Sequence, residues 1–110
     1  MTEQEVNKLL YEKMCAEHEA YKEYLRTCTP DLIMAHSARY VQHEQVLRCF
    51  AERDLPKKQA EIVLKCKYPI SKLLGRLGFL IEMKPDEVYA AAEKTAQYLL
   101  KYPGTIHDRG

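Results

Sequence analysis

The chain has 110 residues, enough to bury one modest apolar core and form a single domain. Its apolar share of 46% and charged share of 30% are typical of a globular protein and exclude a chain that stays disordered. The formal net charge is only +1, and no apolar run approaches the roughly 20 residues of a membrane-spanning helix.

The cysteine pattern and the first residues indicate a compartment. Four cysteines lie far apart without a C-x-x-C pair, and the first residues are polar and acidic rather than a secretory signal. The sequence therefore predicts free thiols and a cytoplasmic protein that is neither exported nor inserted in a membrane.

Helix signals recur along the chain. Thr2 and Glu5 have the spacing of a capping box, and Thr29-Pro30 reads as an N-cap followed by a proline at the first helical position. Further prolines precede three more amphipathic segments. We expect an all-α fold, a compact bundle of about five helices at residues 3–26, 30–52, 56–66, 69–77 and 85–102.

The same pattern predicts the domain organisation. Residues 1–104 form one helical domain, and residues 105–110 form a loosely ordered tail because they have few apolar anchors. The apolar run at residues 78–81 fits a turn, a strand or a helix end, and we interpret it as a buried connection.

The second predicted helix carries a near-heptad stripe with an unusual polar content. Two of its six positions are histidine and one is tyrosine; the positions are Ile33, His36, Tyr40, His43, Leu47 and Phe50. We interpret the histidines as a buried polar layer that is hydrogen-bonded to tyrosine hydroxyls or to Glu17, and a pH-sensing role stays open.

Metal binding and catalysis find little support in the sequence. Cys15 and His18 have a chelating i, i+3 spacing, but two ligands do not make a zinc site, and His36 and His43 lie about 10.5 Å apart along a helix. Cys49 and His43 fall on different helix faces, so a cysteine nucleophile lacks its base. We expect no catalytic residue, no metal and no cofactor.

The charges are uneven along the chain. Residues 57–76 hold six Lys or Arg against Glu61 alone, which gives this window a net charge of +5. We predict that the window binds a partner by charge complementarity, with an aromatic anchor; its residues are Lys57, Lys58, Lys65, Lys67, Tyr68, Lys72 and Arg76.

Three stretches carry a family resemblance. LLYEKM at residues 9–14, VLRCF at residues 46–50, and KQA at 58–60 leading to PIS at 69–71 resemble a family of short helical proteins of unknown function. That family is encoded mainly in genomes and mobile elements of Gram-positive gut bacteria. The resemblance covers about residues 7–80 and departs from the family pattern at residues 42–45 and after Phe79. It implies an accessory role in a mobile element and no catalytic residue.

Two functions therefore stay open. The first is a non-enzymatic protein-binding module, a phage or mobile-element inhibitor or adaptor that acts on a host protein or protein–nucleic acid complex such as a defence nuclease. The second is a small helix-turn-helix-like nucleic-acid binder that uses residues 57–76, with Ser71, Lys72 and Arg76 as the readers. A homodimer built on the His and Tyr stripe is a further possibility.

Overall fold

The computed structural model describes residues 1–77 and 83–107, except for the side chains of Arg76, Leu77 and His107. This part of the chain contains α-helices, one 3₁₀ helix at Pro103–His107, and no strand. The α-helices are α1 (Glu3–Arg26), α2 (Pro30–Ala35), α3 (Ser37–Glu52), α4 (Lys57–Leu64), α5 (Pro69–Leu77) and α6 (Pro85–Lys101). The predicted all-α bundle is confirmed. Among the described residues, none of these helices is long and apolar enough for a membrane crossing.

Local signals set the start of α1. The Glu5 N–H donates to Thr2 Oγ1 at 3.1 Å, and the Thr2 N–H donates to Glu5 Oε1 at 3.3 Å, which is the predicted capping box. The bounds of α1 and α5 coincide with the prediction, whereas α4 and α6 end two residues and one residue earlier than predicted.

The region predicted as one helix over residues 30–52 is divided at His36. Its backbone lies at φ −95° and ψ 0°, between α2 and α3. The His36 carbonyl accepts from the Tyr40 N–H at 3.1 Å and also from the Tyr21 hydroxyl at 3.3 Å. A second donor of this kind draws a carbonyl away from the helix axis and accompanies kinks. The donor comes from α1, so the stripe in the second helix gives no sign of the break.

The core lies between α1, α4 and α6. Helix α4 packs on α1 along one side and on α6 along another, and α5 closes the core against α6. Ala60 and Val63 of α4 are fully buried, as are Val6 of α1 and Ala92 of α6. Small alanines at these positions allow the helix backbones to approach closely, which a tightly packed interior requires.

The side chain of Asn7 joins α1 to the connection between α3 and α4. Its Nδ2 donates to the Leu55 carbonyl at 2.9 Å and to the Glu3 carbonyl at 2.9 Å, and its Oδ1 accepts from the Leu55 N–H at 2.9 Å. Leu55 is buried, so water cannot replace these bonds. One amide therefore satisfies both backbone groups of a loop residue inside the core.

The segment after α6 packs back on the bundle. The tail predicted to be loosely ordered, residues 105–110, begins inside the 3₁₀ helix, where Ile106 packs against the core. The Thr105 carbonyl accepts from Lys72 Nζ at 2.7 Å. Residues 108–110 and the apolar run at 78–81, predicted as a buried connection, lie outside the described residues. Met83, shortly after that run, is buried.

We expect Asn7→Ala to lower the free energy of unfolding by about 2–3 kcal/mol, because it leaves the N–H and carbonyl of buried Leu55 unpaired. Urea unfolding followed by circular dichroism measures the change. The control is Gln4→Ala on the exposed face of the same turn, which should change stability by less than about 0.5 kcal/mol. Equal unfolding midpoints for the two variants would contradict this role of Asn7.

Candidate functional site

A cleft of about 810 Å³ opens between α1, α3 and α5. Its walls come from the middle of α1, the first half of α3 with the preceding His36, the connection between α4 and α5, and the first turns of α5. Ile106 of the 3₁₀ helix completes the lining. Clefts of this size hold most small ligands and peptide side chains, which makes it the candidate site.

The carboxylate of Glu17 holds α5 in place at this cleft. Its Oε1 accepts from the Ile70 N–H at 2.7 Å, and its Oε2 accepts from the Ser71 N–H at 3.0 Å and from Ser71 Oγ at 2.9 Å. Burial raises the pKa of Glu17, and these three hydrogen bonds together with the charge of Arg39 oppose that rise. A carboxylate at the N-terminus of a helix also meets the positive end of the helix dipole. Glu17 therefore acts as a cap supplied by a different helix.

One wall of the cleft is made of aromatic rings. The ring centroids of Tyr21 and His43 lie 4.8 Å apart, and the Tyr21 and His36 rings meet edge to face at 6.0 Å. Behind this wall, His43 Nδ1 lies 3.2 Å from Nδ1 of His18, which is buried as well.

Both imidazoles of this pair are neutral at neutral pH. Burial lowers the pKa of His43 to about 4, and the charges of His18 and Arg39 add to the effect. Burial also lowers the pKa of His18. One neutral ring donates its Nδ1 proton and the other accepts it, so the pair forms a satisfied hydrogen bond. Neither partner predicted for the buried histidines, a Tyr hydroxyl or Glu17, binds His43: it pairs with His18, and Glu17 binds the start of α5 instead.

Cationic side chains from two walls converge on the cleft. Arg39 is exposed on α3, and no hydrogen bond or ion pair joins it to another described residue. Lys67 lies in the connection before α5, with its Nζ 5.4 Å from the centroid of the Tyr68 ring. Lys72 also lines the cleft while it donates to the Thr105 carbonyl. The described lining thus has three cations against one carboxylate, whose oxygens already bind α5.

The residues predicted to bind a partner separate into two groups. Lys67, Tyr68 and Lys72 line the cleft. Lys57, Lys58 and Lys65 lie exposed on or beside α4 and outside the cleft lining. Lys57 Nζ is 3.8 Å from Glu61 Oε1, so an acid partly compensates this outer group. Arg76 belongs to α5, and its side chain lies outside the described part.

The arrangement gives little support to a recognition helix in α5. Ser71 and Lys72 were predicted as readers of a nucleic acid. The Ser71 hydroxyl donates to Glu17, and Lys72 Nζ donates to the Thr105 carbonyl. Both side chains are hydrogen-bonded within the protein. A helix that reads a DNA groove needs such side chains pointing outwards to the bases.

Arg39 is the site residue that the sequence analysis missed. A sequence signal for it exists, because Arg39 follows His36 by three residues and precedes His43 by four. These spacings place all three residues on one helix face. The other cations of the cleft, Lys67 and Lys72, lie more than 25 residues after Arg39 in the chain. Arg39 is therefore outside the basic window at residues 57–76.

Metal-binding geometry is absent from the described part of the chain, where no three His, Cys, Asp or Glu side chains form a group that could hold an ion. The Nδ1 of His18 faces His43.

We expect Glu17→Gln to lower the free energy of unfolding by about 1–3 kcal/mol at neutral pH. The new amide nitrogen faces a backbone N–H of α5, so one buried donor loses its acceptor. Urea unfolding measures the loss, with Glu19→Gln as the matched control on the exposed side of α1. Because Glu19 forms an exposed ion pair with Lys22, its loss should be small. Indistinguishable midpoints for the two variants would show that Glu17 does not hold α5.

The burial of His43 predicts that the free energy of unfolding decreases as the pH is lowered. The unfolded chain binds a proton at His43 near its ordinary pKa of 6.5, whereas the folded chain binds it only near 4. The contribution of His43 is therefore complete above pH 6.5 and is lost as the pH falls towards 4, by up to about 3 kcal/mol.

Urea unfolding between pH 4 and 6.5 should give a smaller pH slope for His43→Phe than for the natural chain. Phenylalanine keeps an aromatic ring beside Tyr21 and has no titratable group. An NMR titration in which the His43 imidazole titrates at its ordinary pKa would refute this assignment.

The comparison with known proteins identifies a family. The model of a family described as "Protein of unknown function (DUF3848)" matches residues 6–100. No curated protein and no solved structure matches the chain. The matched residues extend from the second turn of α1 to the end of α6 and include nearly all of the cleft lining. The prediction of an uncharacterised family is confirmed, and the chain belongs to the DUF3848 family of proteins of unknown function.

Proposed function

We propose that this chain is a non-enzymatic protein-binding module and that its partner docks on α2 and on the adjoining cleft. The carrying observation is an exposed apolar surface made by Leu32, Ile33 and Met34, which we name the α2 patch. These consecutive side chains are 47%, 42% and 74% exposed. Consecutive residues of a helix point about 100° apart, so these side chains surround the short helix rather than share one face. Groups of exposed apolar residues mark interaction sites.

Helix α2 exists without burying its apolar side chains. Thr29 Oγ1 accepts from the Leu32 N–H at 3.4 Å, and Pro30 occupies the first helical turn. All six residues of α2 are exposed, and its main packing contact is with α3. Local capping rather than core packing therefore accounts for this helix, and its apolar side chains are left available to a partner.

The α2 patch directly precedes a residue of the cleft lining in the chain. The His36 N–H bonds to the carbonyls of Leu32 at 3.1 Å and Ile33 at 3.2 Å, and the His36 ring lines the cleft. The combined surface offers aliphatic, aromatic and Arg side chains. Protein interfaces are enriched in Met, aromatic residues and Arg, whereas nucleic-acid interfaces are more polar and more uniformly positive. This composition favours a protein partner with an acidic group.

The reactive groups at the cleft are engaged in ways that support a binding role. Burial raises the pKa of the Cys66 thiol, so it stays protonated and weakly nucleophilic at neutral pH. His43 is hydrogen-bonded to His18 and not to a nucleophile. The Ser71 hydroxyl donates to a carboxylate that already caps a helix.

The proposal also includes a biological context, a phage or mobile element, which rests on the family resemblance. The chain would serve a phage or mobile element in the cytoplasm, as an inhibitor or adaptor of a host protein such as a defence nuclease. The genes that flank its coding sequence bear directly on this setting.

We expect the immobilised natural chain to capture a protein from a lysate of the source organism and the double variant Ile33→Glu/Met34→Glu to lose it. Two carboxylates in the α2 patch replace apolar contact with charges that an apolar partner surface would have to desolvate. After identification by mass spectrometry, the purified partner should bind this variant at least about 10- to 100-fold more weakly by calorimetry.

Leu100→Glu provides the matched control, because Leu100 is 47% exposed on α6 and outside the cleft lining. It should keep the partner, and circular dichroism should give all variants the same helicity. Equal capture by the natural chain and the double variant would disprove the α2 patch as the docking site. Capture that disappears after nuclease treatment would favour a nucleic-acid partner, and capture of the chain itself would favour a homodimer.

A further inference from the structure

We propose that the cleft binds an aromatic carboxylate, presented as the chain-terminal aromatic residue of the partner protein. Its ring would contact the aromatic wall, and its carboxylate would bind Arg39. This inference rests on the proposed protein-binding function, and it names the chemical group that the partner inserts.

The aromatic wall presents the half-buried rings of Tyr21 and His36, and Tyr21 packs against the buried ring of His43. Tyr21 and His43 are tilted by 35° at 4.8 Å, and Tyr21 and His36 are nearly perpendicular at 6.0 Å. Tyr68, 39% exposed, adds a further ring to the lining. Aromatic groups pack on such surfaces in offset or edge-to-face geometry. The cleft volume of about 810 Å³ leaves room for one aromatic residue with its backbone carboxylate.

The positive lining favours an anion, and the Arg39 fork offers a carboxylate two parallel hydrogen bonds. The Arg39 guanidinium has no hydrogen-bonding partner within the described residues, and its planar fork matches the two oxygens of a carboxylate. Lys72 is bonded to Thr105, and Lys67 lies over the Tyr68 ring. Both ammonium groups keep their positive charges, so the lining favours an anion, and the Arg39 fork is the donor group left to bind it.

Glu17 does not oppose this ligand as strongly as its place in the lining suggests. Both of its oxygens accept hydrogen bonds from the start of α5. Its negative charge is therefore partly compensated by the positive end of the α5 helix dipole, which weakens its repulsion of an anionic ligand.

The α2 patch favours a protein chain end over a free small acid. A free aromatic acid would fill the cleft and leave Leu32, Ile33 and Met34 exposed to water. The residues that precede a chain-terminal aromatic residue would leave the cleft beside His36 and cover that patch.

NMR titration of the isotopically labelled full chain tests the ligand class with three probes. N-acetylphenylalanine carries the ring and the carboxylate, its amide carries the ring alone, and N-acetylglycine carries the carboxylate alone. We expect N-acetylphenylalanine to bind with a Kd on the order of 1 mM and to shift the signals of Tyr21, His36 and Arg39. The other two probes should bind at least about tenfold more weakly, because each loses one of the two contacts.

Charge-matched variants locate the carboxylate. Arg39→Gln should weaken N-acetylphenylalanine by about tenfold. Lys58→Gln removes the same charge on α4 outside the cleft and should leave the affinity unchanged. Equal affinities of the three probes, or equal effects of the two variants, would overturn the assignment.

A longer probe distinguishes the two sources of the carboxylate. Acetyl-Leu-Leu-Phe with a free C-terminus should bind more tightly than N-acetylphenylalanine to the natural chain, and Ile33→Glu/Met34→Glu should abolish the gain. The same affinity for both probes would overturn the chain-terminal source in favour of a free aromatic acid.

The outcomes also separate this inference from the proposed function. Partner capture that depends on the α2 patch, without binding of N-acetylphenylalanine, would refute the cleft ligand and leave the protein-binding role standing. Binding of N-acetylphenylalanine without any partner that depends on the α2 patch would refute the proposed protein-binding role and leave the cleft as a site for an aromatic carboxylate.

Discussion

The carboxylate of Glu17 is the contact on which the cleft depends. It lies in the middle of α1, and it satisfies the first two free N–H groups of α5, which follows more than 50 residues later. Pro69 removes one unsatisfied donor from the start of α5, and Glu17 supplies the acceptor that the neighbouring sequence lacks. The cost of placing a carboxylate in a partly buried position is reduced by three donors, a helix dipole and the charge of Arg39, although burial still raises its pKa. This contact joins the start of α5 to α1, where both helices line the cleft.

The first half of helix α1 packs in the apolar core, and its second half contacts aromatic and polar side chains at the cleft. Val6, Leu10 and Met14 lie at successive turns and are fully buried in the apolar core. One turn later the buried position is His18, and the partner of its ring is His43 rather than an aliphatic side chain. The apolar half stabilises the bundle, and the aromatic and polar half forms one wall of the cleft. A neutral histidine pair suits that boundary, because it satisfies its own hydrogen bonds without introducing a buried charge.

The three features at this end of the molecule support one another. The Tyr21 hydroxyl bonds to the His36 carbonyl, the backbone turns at His36, and α2 leaves the bundle with its apolar side chains exposed. A continuous helix from residue 30 to 52 would have kept the stripe of Ile33 and Tyr40 on a single face. The break separates Ile33 from the buried His43 and leaves an apolar helix beside a cationic cleft, the combination on which the proposed protein-binding role rests.

Elements whose causes are local can be predicted from the sequence alone. The capping box at Thr2 and Glu5, the N-cap at Thr29 and the prolines at 30, 69 and 85 act on neighbouring residues, so α1, α5 and the starts of α2 and α6 could be predicted from them. Three residues of the candidate site, Lys67, Tyr68 and Lys72, could be predicted as well, because they are close together in the chain. The remaining features could not be predicted in this way. The break at His36, the role of Glu17 and the place of Arg39 each depend on a contact between residues of different helices, and helical periodicity describes one helix at a time. The basic window was divided for the same reason, because packing against α1 and α6 determines which of its lysines face the cleft and which face water.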